Sequence, residues 1–119
     1  MSEPARFTCG VEYEQPGPVC VLTLGGMLEV DYVDQFEAVV EKELRAGTKR
    51  FVIDLGQLNY VGSLGLRVIV SLHRKVKGDG AVIAFNPTPA VQTVLDIVKL
   101  GQVLRILPTR ADAIDAVRN

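Results

Sequence analysis

From Val19 onward the chain alternates two kinds of apolar pattern, and that alternation limits the folds open to it. Residues 19–24, 51–53, 81–85 and 104–107 are short apolar runs with little polar interruption, the pattern of strands buried on both faces. Between them, apolar residues recur at helical spacing. Val33, Phe36, Val40 and Leu44 make one stripe, Leu66, Ile69, Val70 and Val76 a second, and Val91, Val94, Leu95 and Val98 a third. Ala113, Ile114 and Val117 make a fourth near the end. Strands that alternate with helices need crossover connections, so the sheet must be largely parallel. Ahead of the first buried run, Phe7, Cys9, Val11 and Tyr13 alternate with Thr8, Gly10, Glu12 and Glu14, which predicts a strand with one wet face. The turn Gln15-Pro16-Gly17-Pro18 sets that strand antiparallel to the next. The predicted order is β-β-α-β-α-β-α-β-α: an α/β fold with a mostly parallel sheet of about five strands, an antiparallel N-terminal strand and about four helices.

Local signals place the boundaries. Asp31 is positioned to cap the first helix and Gly47 to close it. The strand 51–53 ends at Asp54, and a loop over 56–62 leads to Ser63, a favourable N-cap residue. Gly78 and Gly80 end the second helix. Thr88 caps the third, with Pro89 at its first position. Thr109 and Asp112 resemble a capping box that opens the fourth.

A chain of 119 residues without repeats, linkers or low-complexity tracts reads as one domain, 1–119, with its core over about 6–117. Its net charge of −1 argues against a dedicated nucleic-acid or membrane-surface binder. The two halves differ: 1–59 balance to −5 and 60–119 to +4. Glu29, Asp31, Asp34, Glu37, Glu41 and Glu43 crowd one stretch, which reads either as a solvated helix face or as a surface that steers a basic partner. Two cysteines and one histidine cannot close a zinc site without carboxylate help, and no cofactor is implied. Cys9 and Cys20 are too few for a disulfide framework, so a reducing compartment, the cytoplasm, is expected. No apolar run is long enough to span a membrane, and MSEPARFT lacks the apolar region of a signal peptide.

Catalytic patterns are thin. There is no phosphate-cradling G-x-x-x-x-G-K run, and Gly62-Ser63-Leu64-Gly65 has the wrong spacing for a nucleophile elbow. His73 has no visible orienting carboxylate and reads as a surface helix histidine; Asp54 reads as a strand-end residue that bonds the next loop. An enzyme is not expected. The informative stretch is 54–66, where a strand delivers a serine to the start of a helix. Backbone N–H groups and the helix dipole there favour an anion, and Arg67 lies one turn on, so a phosphate on Ser63 would be tolerated. As a plain N-cap, the same serine would contribute about 1 kcal/mol. Local physics leaves both roles open.

The block LNYVGSLGLRVIVSLHRKVKGDGAVIAFNPTPAVQTVLDIVKLGQVLRIL resembles the STAS domain, shared by bacterial anti-sigma factor antagonists and the cytoplasmic tails of sulfate transporters. That family carries an Asp-Ser-Ser/Thr-Gly-Leu motif eight residues after a strand-end aspartate, and often a P-A-V segment in a later loop, here Pro89-Ala90-Val91. The resemblance spans nearly the whole chain and implies the STAS fold. For a free-standing member it implies a cytoplasmic antagonist that binds an anti-sigma factor with serine kinase activity. That kinase phosphorylates the motif serine and so weakens the complex, and a PP2C-type phosphatase reverses the step. Ser63 stands at that serine, and Glu29 at an acidic position close to it. Glu29, Tyr60, Gly62, Leu64, Gly65 and Arg67 are the implied partner-binding residues. The chain departs from the motif at Gly62, where the family has aspartate, at Leu64, where it has Ser/Thr, and at Arg67, where a small residue is common. The alternative is a non-phosphorylated STAS scaffold, stressosome-like or a lipid-transport accessory subunit.

Overall fold

The computed structural model describes residues 6–119. Most of the MSEPARFT segment, and the first five residues of the 1–119 domain, lie outside the described residues. One sheet holds β1 (Phe7–Glu14), β2 (Val19–Leu28), β3 (Arg50–Val61), β4 (Ala81–Phe85) and β5 (Arg105–Leu107), side by side in chain order. β1 runs antiparallel to β2, and every later neighbour is parallel. The connecting helices are α1 (Val33–Arg45), α2 (Ser63–Val76) and α3 (Pro89–Ile97), and α4 (Arg110–Arg118) follows β5. This is the order and the mixed sheet that the apolar pattern predicts. Among the described residues no helix is long and apolar enough to cross a membrane.

The apolar runs lack a polar face because the sheet is covered on both sides. Side chains alternate along a strand, so each interior strand feeds two cores. Cys20, Leu22, Leu24, Phe51, Ile53, Val82 and Ala84 pack with Phe36, Val40, Leu66, Ile69, Leu72, Val91 and Leu95 of the first three helices. Val19, Val21, Val52, Ile83 and Phe85 meet Ala113 and Val117 of α4 on the other side. The helix starts read from Thr88 and Thr109 are present: Thr88 Oγ1 accepts from the Val91 N–H at 3.3 Å, and Thr109 Oγ1 from that of Asp112 at 3.1 Å. Thr88 Oγ1 also donates to the Leu58 carbonyl at 2.7 Å, which ties the start of α3 to β3.

Several expectations are corrected. The loop predicted over 56–62 is strand: β3 continues to Val61 alongside β2, which itself runs through Gly25 and Gly26 to Leu28. Two register shifts, between Thr23 and Gly25 and between Gly26 and Met27, each place one extra residue in β3. Its buried residues Leu55, Leu58 and Val61 therefore fall three apart instead of two, which hides the strand from a period-two reading. Asp54 lies at the first shift rather than at a strand end, and its carboxylate accepts from the Gly56 N–H at 2.8 Å. Asp31 does not cap α1; it sits in a single 3-10 turn, Val30–Tyr32, and Tyr32 holds the cap position without a side-chain bond.

Glu43 is not on a solvated face. It falls on the buried stripe of α1, 5% exposed, where its carboxyl oxygens accept from the Tyr13 and Thr48 hydroxyls, the latter at 3.0 Å. Val98, predicted in the stripe of α3, ends that helix and is exposed. β1 is wet on more than one face: Phe7 is buried, but Val11 and Tyr13 are 39% and 52% exposed, although the Tyr13 hydroxyl reaches Glu43 of α1.

Candidate functional site around Ser63

β3 runs into α2 without a loop. The Gly62 N–H donates to the Leu28 carbonyl at 3.1 Å, and the Gly62 carbonyl accepts the first helical bond from Leu66, also at 3.1 Å. Gly62 is therefore the N-cap residue, with φ −91° and ψ 171° and no side chain to cap with. Ser63 is the first residue inside the helix, not its cap as predicted. A capping side chain must come from the residue before the first helical turn, and here that turn begins one residue earlier than predicted, directly after β3 and Gly62.

Ser63 and Leu64 are exposed, Gly62 is half-buried and Gly65 is buried. A methyl group added at Gly65 would come within 2.7 Å of the Leu28 side chain, so Gly65 sets the close approach of α2 to β2. Gly62 is different. A β-carbon there meets Tyr60 and the Leu28 carbonyl at 3.5–3.7 Å, ordinary contact distances, so the backbone does not require glycine.

Glu29 follows β2 directly, and its carbonyl accepts from the Tyr32 N–H at 3.0 Å, which forms the 3-10 turn beside the tip of α2. A groove of about 250 Å³ lies between these parts, lined by Glu29, Val30, Tyr60, Gly62, Ser63 and Leu64 over a floor of Leu28 and Gly65. Leu64 separates it from a second groove of about 240 Å³ between α1 and α2, lined by Val33, Glu37, Arg67, Val68 and Ser71. Six of the seven residues singled out in the sequence thus surround one groove. The seventh, Arg67, opens into the neighbouring groove together with Glu37.

The sequence reading missed Met27 and Val30. They are 38% and 66% exposed and join Tyr60 (44%) and Leu64 (38%) to make this end of the molecule apolar. Their signal was an apolar pair on either side of Glu29 that belongs to neither the strand alternation nor the helix stripe. The ion pairs among the described residues engage Lys49, Lys75 and Arg110, and none of Glu29, Asp31, Asp34 or Glu37 takes part in them. At the edges of the two grooves stand Glu29 on one side and Glu37 with Arg67 on the other.

The remaining reactive groups lie elsewhere. His73 is in the last turn of α2 and only half-exposed, with Nδ1 buried and unpartnered, so it is not the plain surface histidine expected. Cys9 and Cys20 are free thiols, and burial pushes them up to about 11 and about 12, which keeps both un-ionised at neutral pH. Among the described residues no group of three or more His, Cys, Asp or Glu side chains is arranged to hold a metal ion.

Comparison with known proteins identifies the family and the fold. Residues 10–113 match the STAS domain family. BtrV of Bordetella bronchiseptica, named as an anti-sigma factor antagonist, is 30% identical over 78 residues, covering 65% of this chain and 67% of BtrV. The crystal structure of an anti-sigma factor antagonist from Mycobacterium paratuberculosis is similar over 100% of both chains, with a TM-score of 0.87 and 24% identity. The antagonist SpoIIAA of Bacillus is similar in its unphosphorylated form, with a TM-score of 0.74 and 24% identity over 92% of this chain and 96% of that one. Its phosphorylated form gives a TM-score of 0.67 at 24% identity, over 92% and 100% of the two chains. The five-stranded mixed sheet with its four helices is the STAS fold.

Proposed function

The chain belongs to the STAS domain family, and from that premise we propose that it is a cytoplasmic anti-sigma factor antagonist that binds an anti-sigma factor with serine kinase activity and is switched at Ser63. The names of BtrV and of the Mycobacterium paratuberculosis protein support the first half of this reading, and the existence of SpoIIAA in two phosphorylation states supports the second. The observation that carries it is Ser63 itself, exposed on the first turn of α2 and outside the capping position, so that modifying it removes no cap from the fold.

In the unmodified protein, Met27, Val30, Tyr60 and Leu64 offer the partner an apolar contact, with Glu29 and Glu37 at its rim. Phosphorylation transfers the γ-phosphoryl group of ATP to Ser63 Oγ. A P–O bond forms to the serine, the bond to ADP breaks, and the hydroxyl proton leaves to the kinase. The product carries about −1.5 to −2 charges at the helix tip. Beneath a docked partner that charge must be desolvated beside the Glu29 carboxylate that lines the same groove, while Arg67 opens into the neighbouring groove with Glu37. A cost of about 2.7 kcal/mol already lowers affinity ~100-fold. A PP2C-type phosphatase would restore the apolar surface. The chain acts here as a substrate and a binding module, with no catalysis of its own.

The test is affinity for the anti-sigma factor measured with Ser63→Ala and Ser63→Asp. Ser63→Ala should bind as tightly as the unmodified protein, and Ser63→Asp should bind at least ~10-fold more weakly. Equal affinities would overturn the switch and favour the non-phosphorylated scaffold, which keeps its complex whether or not ATP is present.

A further inference from the structure

β1 is an edge strand of unusual regularity. Its eight residues pair with β2 without a register shift, and the segment Phe7–Glu14 contains neither proline nor lysine. Proline, charged side chains (lysine above all), bulges and short length are the usual devices that keep an edge from pairing with another chain, and the charges on β1 are Glu12 and Glu14. The opposite edge, β5, has such protection because it is only three residues long. On β1 the face toward α1 also carries apolar side chains that stay partly open to solvent, at Val11 and Tyr13. The Tyr13 hydroxyl is fixed on the Glu43 carboxyl of α1, which holds the ring on that face. On the other face, Glu12 and Glu14 are already paired with Arg110 of α4 at 3.5 and 3.6 Å.

We propose that β1 pairs antiparallel with β1 of a second copy of this chain about a two-fold axis at Val11, joining two five-stranded sheets into one. The register follows from the side chains. A two-fold axis perpendicular to a continuous sheet must pass through a residue, because opposed side chains share a face. Centred on Glu12, the pairing sets two carboxylates directly opposite, which is destabilising. Centred on Gly10, it puts two residues without side chains at the middle of the contact. Centred on Val11, it sets Val11 against Val11 and Tyr13 against Cys9 on the apolar face, and Glu12 against Gly10 and Glu14 against Thr8 on the charged face. No acid then directly opposes an acid, and the exposed apolar surface of both copies is covered. The strands are antiparallel, so the two Ser63 tips point to opposite ends and neither is blocked. The inference is independent of the proposed switch.

Sedimentation of the full chain from micromolar to millimolar concentration should show a monomer that converts to a dimer. Val11→Lys, at a position already partly in solvent, should return the mass to one chain at every concentration. Under oxidant in a Cys9→Ser background, Val11→Cys should cross-link the two copies, because directly opposed residues have Cα atoms about 4.5–5.5 Å apart, within disulfide reach. Glu12→Cys in the same background should not, since its counterpart is a diagonal neighbour about 7–8 Å away. A single-chain mass throughout, a dimer that survives Val11→Lys, or cross-linking at 12 equal to that at 11 would each overturn the proposal. If Val11→Lys fails to fold, the two cysteine variants alone decide.

Discussion

At Gly62 the backbone takes the extended conformation of an N-cap, yet no side chain is present to satisfy the free N–H groups of the first turn. Because a β-carbon fits there, Gly62→Asp should be accommodated and should supply both a cap and a favourable charge at the helix N-terminus. The cap is worth a few tenths of a kcal/mol over glycine and the charge about 0.3–1 kcal/mol, which denaturant unfolding would resolve as a higher midpoint at unchanged slope. A destabilised variant would show that the tip is more crowded than its geometry indicates. The departure from the family motif at this position is therefore chemical rather than steric. Ser63 was legible in the sequence as the start of a helix, because a serine there precedes an apolar stripe. Its rank within the helix was not, because that depends on where β3 stops. Glu43 was illegible for a related reason: a carboxyl on a buried stripe is stable only when partners reach it, and Tyr13 and Thr48 come from other elements.

The junction between α2 and β2 sets the position of Ser63, and Gly65 is its tightest point. Gly65→Ala would gain helix propensity of about 1 kcal/mol. It would also force a methyl group against Leu28 at 2.7 Å, and overpacking of this kind costs about 1–3 kcal/mol. We expect net destabilisation in thermal unfolding, relieved when Leu28→Val is added to make room. An additive double mutant would contradict the contact. Helices were the easier elements to read, since the stripes of α1 and α2 are long enough to repeat. β3 was harder because its two register shifts break the period of two on which strand recognition rests.

At the scale of the whole molecule, folding raises the pKa of three groups among the described residues: Cys9 from 9.0 to about 11, Cys20 from 9.0 to about 12, and Tyr13 from 10.0 to about 12. Burial is the cause for the thiols first of all, and for Tyr13 it is first the hydrogen bond to Glu43. Each is neutral in its protonated form and favoured in that form by the fold. The stability they contribute is therefore complete below pH 9 and is lost as the pH rises toward 12. Denaturation midpoints should fall over that window, and Tyr13→Phe should flatten the slope above pH 10. At neutral pH the same substitution should cost on the order of 1–3 kcal/mol, because Glu43 loses one of its partners. A slope unchanged by Tyr13→Phe would assign the loss to the thiols alone. By itself the sequence determined the element order, the mixed sheet and the helix that carries Ser63, because apolar periodicity is a local property that survives without coordinates. Only the tertiary structure decided how far β2 and β3 run together, which acids are buried, and that Met27, Val30, Tyr60 and Leu64 meet at one end. Those features depend on contacts between residues distant in the chain, and no local period encodes them.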